Sequence, residues 1–330
     1  MWAWGMADQL RICFIGNSFT FYNNMPHLVE HLLAPNFQGS SIEIGACLRG
    51  GRTFKILWEQ GADMERAKDC IGGLGMVASV KQLLEAAGGW DIVVLQDFSQ
   101  SPARDDQRAA SLKCLQEVYV PALEAMVERT GKRPLILMYS TWGYVQAAKK
   151  SEEIGDFKQM TRKTAAGYLA YAALLQDLGF PVTIVDVGAA YEAIHDRSPE
   201  LWKSLYQPDH FHPRAKASFL IAALFFKAIV NHPRFAHLFH SDGLLAAWPE
   251  GIVPCGPMVA DDPDAFRDAK AKGDLTHEDP RLAMPSDEDL RIVLETVGGL
   301  TSRRDNTKPG DNCCLKLVEA CGSACGFAFA

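Results

Sequence analysis

Leu10-Arg11-Ile12-Cys13-Phe14-Ile15-Gly16-Asn17-Ser18-Phe19-Thr20 decides how this chain folds. Apart from Arg11, the run Leu10–Ile15 is apolar without a break, as a strand buried on both faces of a parallel sheet is. Gly16 and Asn17 interrupt it, and Met25–Leu33 beyond has the spacing of an amphipathic helix. Ser18 therefore falls on a strand-to-helix turn near the start of the chain.

Similar short runs rich in Ile, Val and Leu recur at Ser41–Gly45, Asp91–Gln96, Pro134–Tyr139 and Val182–Val187. Helical patterns separate them, at Val77–Ala87, Arg108–Arg129, Phe157–Leu178 and Arg214–Val230. Strand and helix alternate, so the chain reads as an α/β fold, a three-layer α/β/α sandwich around a parallel five-stranded sheet of flavodoxin-like type. Active sites of such folds lie at the carboxyl ends of the strands, which is where Ser18 stands.

Far downstream, Asp209-His210-Phe211-His212-Pro213 supplies an Asp and a His three residues apart, just before the last strong helical pattern. A Gly-x-Ser tripeptide alone reads as a helix N-cap, and an Asp and a His in a loop read as a solvated turn. Together, each in a strand-loop-helix setting, they make a nucleophile, a base and a group that orients the base.

Ile15-Gly16-Asn17-Ser18-Phe19-Thr20 and Asp209–Pro213 resemble the first and last sequence blocks of the SGNH hydrolase superfamily, the GDSL-type esterases and lipases, in its carbohydrate-esterase-like branch. Asn17 stands where many members carry Asp. The resemblance covers residues 10–232. It implies a serine esterase in which Ser18 attacks the carbonyl, His212 moves the proton and Asp209 orients His212. No metal or organic cofactor is implied.

Acyl transfer places negative charge on the former carbonyl oxygen, and each fixed donor aimed at it lowers the barrier by roughly 3–4 kcal/mol. The Ser18 turn offers one backbone N–H. The resemblance implies a second from a glycine in Arg49-Gly50-Gly51-Arg52-Thr53, with Gly51 the choice and Gly50 the fallback. A third, side-chain donor belongs in Gln96-Asp97-Phe98-Ser99-Gln100. Carbohydrate-directed members often show Q-G-E-S-N there, so Gln100 replaces the Asn donor, with Gln96 the alternative. The pattern tilts the expected substrate towards acetyl-like esters of carbohydrate-like alcohols. A short-chain lipase or thioesterase stays open, as does a non-catalytic glycan-binding protein of the same fold. A nucleotide-binding flavodoxin-like protein would need more phosphate-cradling glycines after the first strand than Gly16 alone.

Trp142 and Tyr144 follow the fourth predicted strand and are candidates to line an acyl or sugar pocket. Arg49 and Arg52 flank the glycines and are candidates to meet an anionic substrate. His27 and His31 lie one helical turn apart, but the residues between them read as a solvated helix face rather than a metal site.

The 330 residues carry a net charge of −7, which argues against nucleic acid as the main partner. A small-molecule or glycan ester fits better. Residues 217–230 are apolar but too short to span a membrane. Residues 1–9 contain Asp8 and no basic run before a long apolar stretch, so no signal peptide is read there and the cytoplasm is the expected compartment. Cys13, Cys47, Cys70 and Cys114 read as reduced, mostly buried thiols. The expected organisation is one domain over 1–300, with a helix near 286–297 opened by Ser286 and ended by Gly298-Gly299. Residues 301–330, with Cys313, Cys314, Cys321 and Cys325, are expected to form a poorly ordered tail.

Overall fold

The computed structural model describes residues 9–63, 75–240 and 287–302. Six strands make one sheet: β1 (Gln9–Gly16), β2 (Ser41–Leu48), β3 (Gly75–Met76), β4 (Ile92–Leu95), β5 (Leu135–Ser140) and β6 (Val182–Asp186). Their order is β3-β2-β1-β4-β5-β6 and every pairing is parallel. The expected five-stranded sheet is thus corrected to six. The additional strand, β3, is two residues long and pairs with Gly45 and Ala46 at the sheet edge. A run that short leaves no period to read.

The two faces of β1 show why the fold has three layers. Leu10, Ile12 and Phe14 pack into one core, and Cys13 and Ile15 into the other. The first core is closed by α2 (Met25–Leu33), α9 (Val187–Arg197), α11 (Ala215–Val230) and α12 (Asp287–Ser302). The second is closed by α3 (Phe54–Gln60), α4 (Val80–Leu84), α5 (Asp105–Cys114), α6 (Val120–Thr130) and α8 (Phe157–Asp177). Shorter helical segments include α1 (Ser18–Phe21), α7 (Ala147–Lys150), α10 (Pro199–Ser204) and the π turn Leu115–Tyr119. Cys13, Cys47 and Cys114 are buried free thiols.

Several element ends depart from expectation for identifiable reasons. The helix expected over Arg108–Arg129 is α5 and α6 joined by the π turn, with Pro121 at the start of α6. Proline lacks an N–H and crowds the preceding turn, so the α ladder is interrupted there. The last helix runs on to Ser302 instead of stopping at Gly298-Gly299. Glycine ends a helix by turning left-handed, and neither residue does so. Lys227 Nζ donates to the carbonyls of Val297 (3.0 Å) and Gly298 (3.4 Å). The helix is further held by Lys216–Asp289 (3.1 Å), and Val293 is fully buried. Ser286, the clustered C-terminal cysteines, Cys70 and residues 1–8 lie outside the described residues. Among the described residues, no helix is long and apolar enough to cross a membrane.

Candidate active site

Three loops meet at the carboxyl ends of β1, β2 and β4, and Asn17 joins them. Its amide Nδ2 donates to the carbonyls of Asp97 (3.0 Å) and Arg52 (3.3 Å), while its Oδ1 caps α1 by accepting from Phe19 N (3.2 Å). An aspartate could accept the cap bond but could not donate to two carbonyls. Gly16 is needed just before it. A Cβ there would lie 2.5 Å from Thr20 Oγ1 and 2.8 Å from Gln96 Oε1. The turn so built places Ser18 at the first position of α1, 6% exposed.

The other side of the site comes from the segment before α11. Asp209 Oδ1 accepts from the amides of Phe211 and His212, each at 3.0 Å. Its Oδ2 lies 2.7 Å from His212 Nδ1. The opposite ring nitrogen, Nε2, lies 2.8 Å from Ser18 Oγ. With Nδ1–H donating to the carboxylate, Nε2 is the free acceptor and the Ser18 hydroxyl donates to it. Asn23 fastens the two sides together, because its Nδ2 donates to Pro213 O (3.0 Å) and Ser218 Oγ (2.8 Å). Burial raises the Asp209 carboxyl, but the hydrogen bond and charge of His212 and the two amides outweigh it. The group titrates below its ordinary value.

Aromatic rings wall the imidazole. Tyr22 stacks on His212 with centroids 4.2 Å apart, Phe19 meets it edge-on at 5.5 Å, and Phe211 lies at 4.3 Å. His212 is 4% exposed in consequence. Excluding water strengthens the two hydrogen bonds of the ring. The sequence reading missed Phe19 and Tyr22 as parts of the site. The signal available was the density of aromatics in Phe19-Thr20-Phe21-Tyr22, directly after the serine.

Gly51 sits in the loop after β2 with φ +65 and open space where a side chain would be. That loop is tied to β1 by Arg49 N donating to Gly16 O (3.1 Å). Gly50 adjoins it without a left-handed φ. Gln96, the fallback donor, is committed elsewhere. Its Oε1 accepts from Asn17 N and Thr20 Oγ1, both at 2.9 Å, and its Nε2 donates to Asp97 O. It is 1% exposed, so it supports the turn rather than facing a substrate. Gln100 is half-buried, and its Nε2 makes one long contact, 3.5 Å to Tyr144 OH.

Trp142 is not a pocket wall. It is fully buried, stacked between Phe19 (4.7 Å) and Tyr191 (4.5 Å), and its Nε1 donates to Phe211 O (3.2 Å). It holds Phe19 against the histidine instead. Tyr144 does border open space, and its hydroxyl lies 2.6 Å from Ser99 Oγ.

Asp97 replaces the expected glycine of the third block and has become a hub. Its Oδ1 accepts from the amides of Phe54 (3.0 Å) and Phe98 (2.8 Å), and its Oδ2 from Ser111 Oγ (2.6 Å) and Tyr171 OH (3.0 Å). Burial raises the carboxyl to about 6 despite these four donors.

For metals, one group of donors stands out among the described residues. Those of His27, Glu30 and His31 on α2 lie within 4.8 Å of one another. His27 Nδ1 is 2.5 Å from Glu30 Oε2 and His31 Nδ1 is 2.9 Å from His27 O. These contacts lie within one helix and tie the three side chains to one another and to its backbone.

No family model and no curated protein matches the chain. Among solved structures it is similar to a DUF4886 family protein from Bacteroides uniformis, 19% identical, covering 82% of this chain and 98% of that one with a TM-score of 0.51. It is also similar to a carbohydrate esterase family 3 protein from Talaromyces cellulolyticus, 14% identical, covering 67% and 96% at a TM-score of 0.41. A carbohydrate acetylesterase family member from Sinorhizobium meliloti gives 14% identity, 67% and 97% coverage and a TM-score of 0.41. At these identities the likeness is one of fold.

Proposed function

We propose that the chain is a serine esterase acting on short, acetyl-like esters through an acyl-enzyme. The observation that carries this reading is the unbroken chain Ser18 Oγ–His212 Nε2 (2.8 Å) and His212 Nδ1–Asp209 Oδ2 (2.7 Å). Both distances are within the reach required for proton transfer before any substrate binds. Ser18 attacks the carbonyl carbon while His212 takes the hydroxyl proton. The tetrahedral oxygen is held by the N–H groups of Ser18 and Gly51, with Gln100 the side-chain donor. When the carbon–oxygen bond to the alcohol breaks, His212 returns the proton to the leaving oxygen. Water then repeats the sequence on the acyl-serine and releases the acid. Asp209 keeps the imidazole in the right tautomer and stabilises it when charged.

The Asp209 carboxyl suits that task, since it titrates below its ordinary value and so stays ionised beside the imidazole. Carbohydrate-like alcohols are the preferred acceptors in this reading, with a thioester or short-chain lipid ester as the alternative. A protein that only bound glycans would have no use for a serine hydroxyl aligned on a histidine. The test is covalent. A fluorophosphonate probe should label the chain once, on the peptide containing Ser18, and label the Ser18→Ala variant not at all. Labelling that persists in that variant would overturn the assignment.

A further inference from the structure

Beside Asp209 the surface opens into a pocket of about 300 Å³. Tyr144 and Phe211 give it aromatic walls, and Gln146, Lys149, Lys150, Asp209 and His210 give it polar ones. Lys149 and Lys150 end the short helix α7, both exposed, and neither makes an ion pair with the described residues. Lys150 Nζ stands 5.2 Å from the centre of the Phe211 ring. The one carboxylate in the wall, Asp209, already accepts from the imidazole and two amides. In a chain of net charge −7, two unpaired ammonium groups at this mouth are a local reversal of the prevailing field. Across the site, Arg52 follows Gly51, and its Nε is buried without a hydrogen-bond partner.

The direction of the chemistry decides which part of the substrate enters. The carbonyl oxygen must face the donors around Gly51. The leaving oxygen must lie within hydrogen-bond reach of His212 Nε2 to receive its proton. The alcohol therefore departs beside His212, whose chain neighbours Asp209, His210 and Phe211 line the pocket. Aromatic walls suit the apolar C–H face of a sugar ring, and the ammonium groups suit an anion attached to it.

We propose that this pocket binds an anionic group, carboxylate or sulfate, carried by the alcohol part of the ester and held by Lys149 and Lys150, so that the substrate class is an acylated acidic sugar. This rests on the esterase reading for its catalytic consequence, but the binding can be measured apart from it. Three matched compounds serve as probes: an O-acetylated glucuronoside, an O-acetylated sulfated glucoside and an O-acetylated neutral glucoside.

At low ionic strength kcat/KM for either acidic ester should exceed that for the neutral one by about tenfold, the combined effect of two exposed charge pairs. The ratio should shrink in 0.5 M NaCl, because such pairs are screened. In Lys149→Ala/Lys150→Ala the acidic-to-neutral ratio should fall to about one, chiefly through KM. A preference for the carboxylate over the sulfate, or the reverse, identifies the anion. Equal kcat/KM for acidic and neutral esters, or a ratio that the double variant leaves in place, overturns the proposal. If none of the esters is hydrolysed, calorimetric binding of the deacetylated glucuronoside and glucoside to Ser18→Ala still decides it. The acidic compound should bind about tenfold more tightly, and equal binding would reject the pocket whatever becomes of the esterase reading.

Discussion

The phenol ring of Tyr22 lies flat on the imidazole of His212, with centroids 4.2 Å apart and planes 7° from parallel. Tyr22 follows Ser18 by four positions, so the serine turn also fixes the ring that lies on His212. The stack favours the ring orientation that faces Nε2 to Ser18 Oγ. Aromatic pairs of this kind contribute roughly 0.5–1.5 kcal/mol beyond their buried area. Tyr22→Ala should therefore lower kcat on a short acetyl ester about three- to tenfold, and Tyr22→Phe, which keeps the ring, should restore it. Equal loss in both variants would mean that the hydroxyl matters, not the stack.

Ser18→Ala and His212→Ala should each remove several orders of magnitude of ester hydrolysis while leaving the fold intact. The double variant should cost little more than either, because a nucleophile and its base act as a unit. Additive losses would show that the two side chains work independently, and turnover near wild type in Ser18→Ala would refute the mechanism. Circular dichroism of each variant separates loss of chemistry from loss of structure.

The alternation of apolar strands and helical patterns was legible because each strand of a parallel sheet is buried on both faces and so is uniformly apolar. That Ser18, Asp209 and His212 would meet was legible because a serine on a strand-to-helix turn and an Asp and a His three residues apart before a helix are each set at the same edge of the sheet. What could not be read was orientation. Gln96 and Gln100 are both amides in one loop, but Gln96 turns inward to Asn17 N and Thr20 Oγ1. Trp142 and Tyr144 both follow β5, yet Trp142 is stacked in the core and Tyr144 faces the pocket. Likewise, nothing local in Asp97 announces that its partners Phe54, Ser111 and Tyr171 arrive from three other elements.

The proposed oxyanion donors divide by substitution. Gln100→Ala should lower kcat about 10²-fold with a much smaller change in KM, since such a donor acts mainly in the transition state. Gln96→Ala should instead lower the melting temperature, because two buried donors lose their acceptor at about 1–3 kcal/mol. Gly51→Ala meets no steric obstacle, but the left-handed backbone costs a non-glycine residue roughly 1–2 kcal/mol. Its kcat should fall as the N–H swings away. A silent Gln100→Ala would leave the hole to the backbone groups of Ser18 and Gly51.

Asp97 makes the stability of the protein depend on pH in an unusual direction. Its carboxyl, fully buried with no cation beside it among the described residues, is raised by burial from 3.8 to about 6 in the folded chain. The folded state therefore holds the proton more tightly than the unfolded state. The resulting stability is fully present below pH 3.8 and is lost as the pH rises through about 6. Between pH 4 and 7 the loss is about 2 kcal/mol. Asp97→Asn removes this dependence while keeping the contacts. Its Oδ1 can accept from Phe54 N and Phe98 N, and the hydroxyls of Ser111 and Tyr171 can turn to accept from its Nδ2. Urea unfolding of both proteins should show the variant gaining on the wild type by about 2 kcal/mol as the pH goes from 4 to 7. A difference that stays constant across that range would mean that the carboxyl titrates at its ordinary value despite its burial. Asp97→Ala leaves Phe54 N and Phe98 N without an acceptor and should destabilise at every pH, which separates the loss of contacts from the loss of charge.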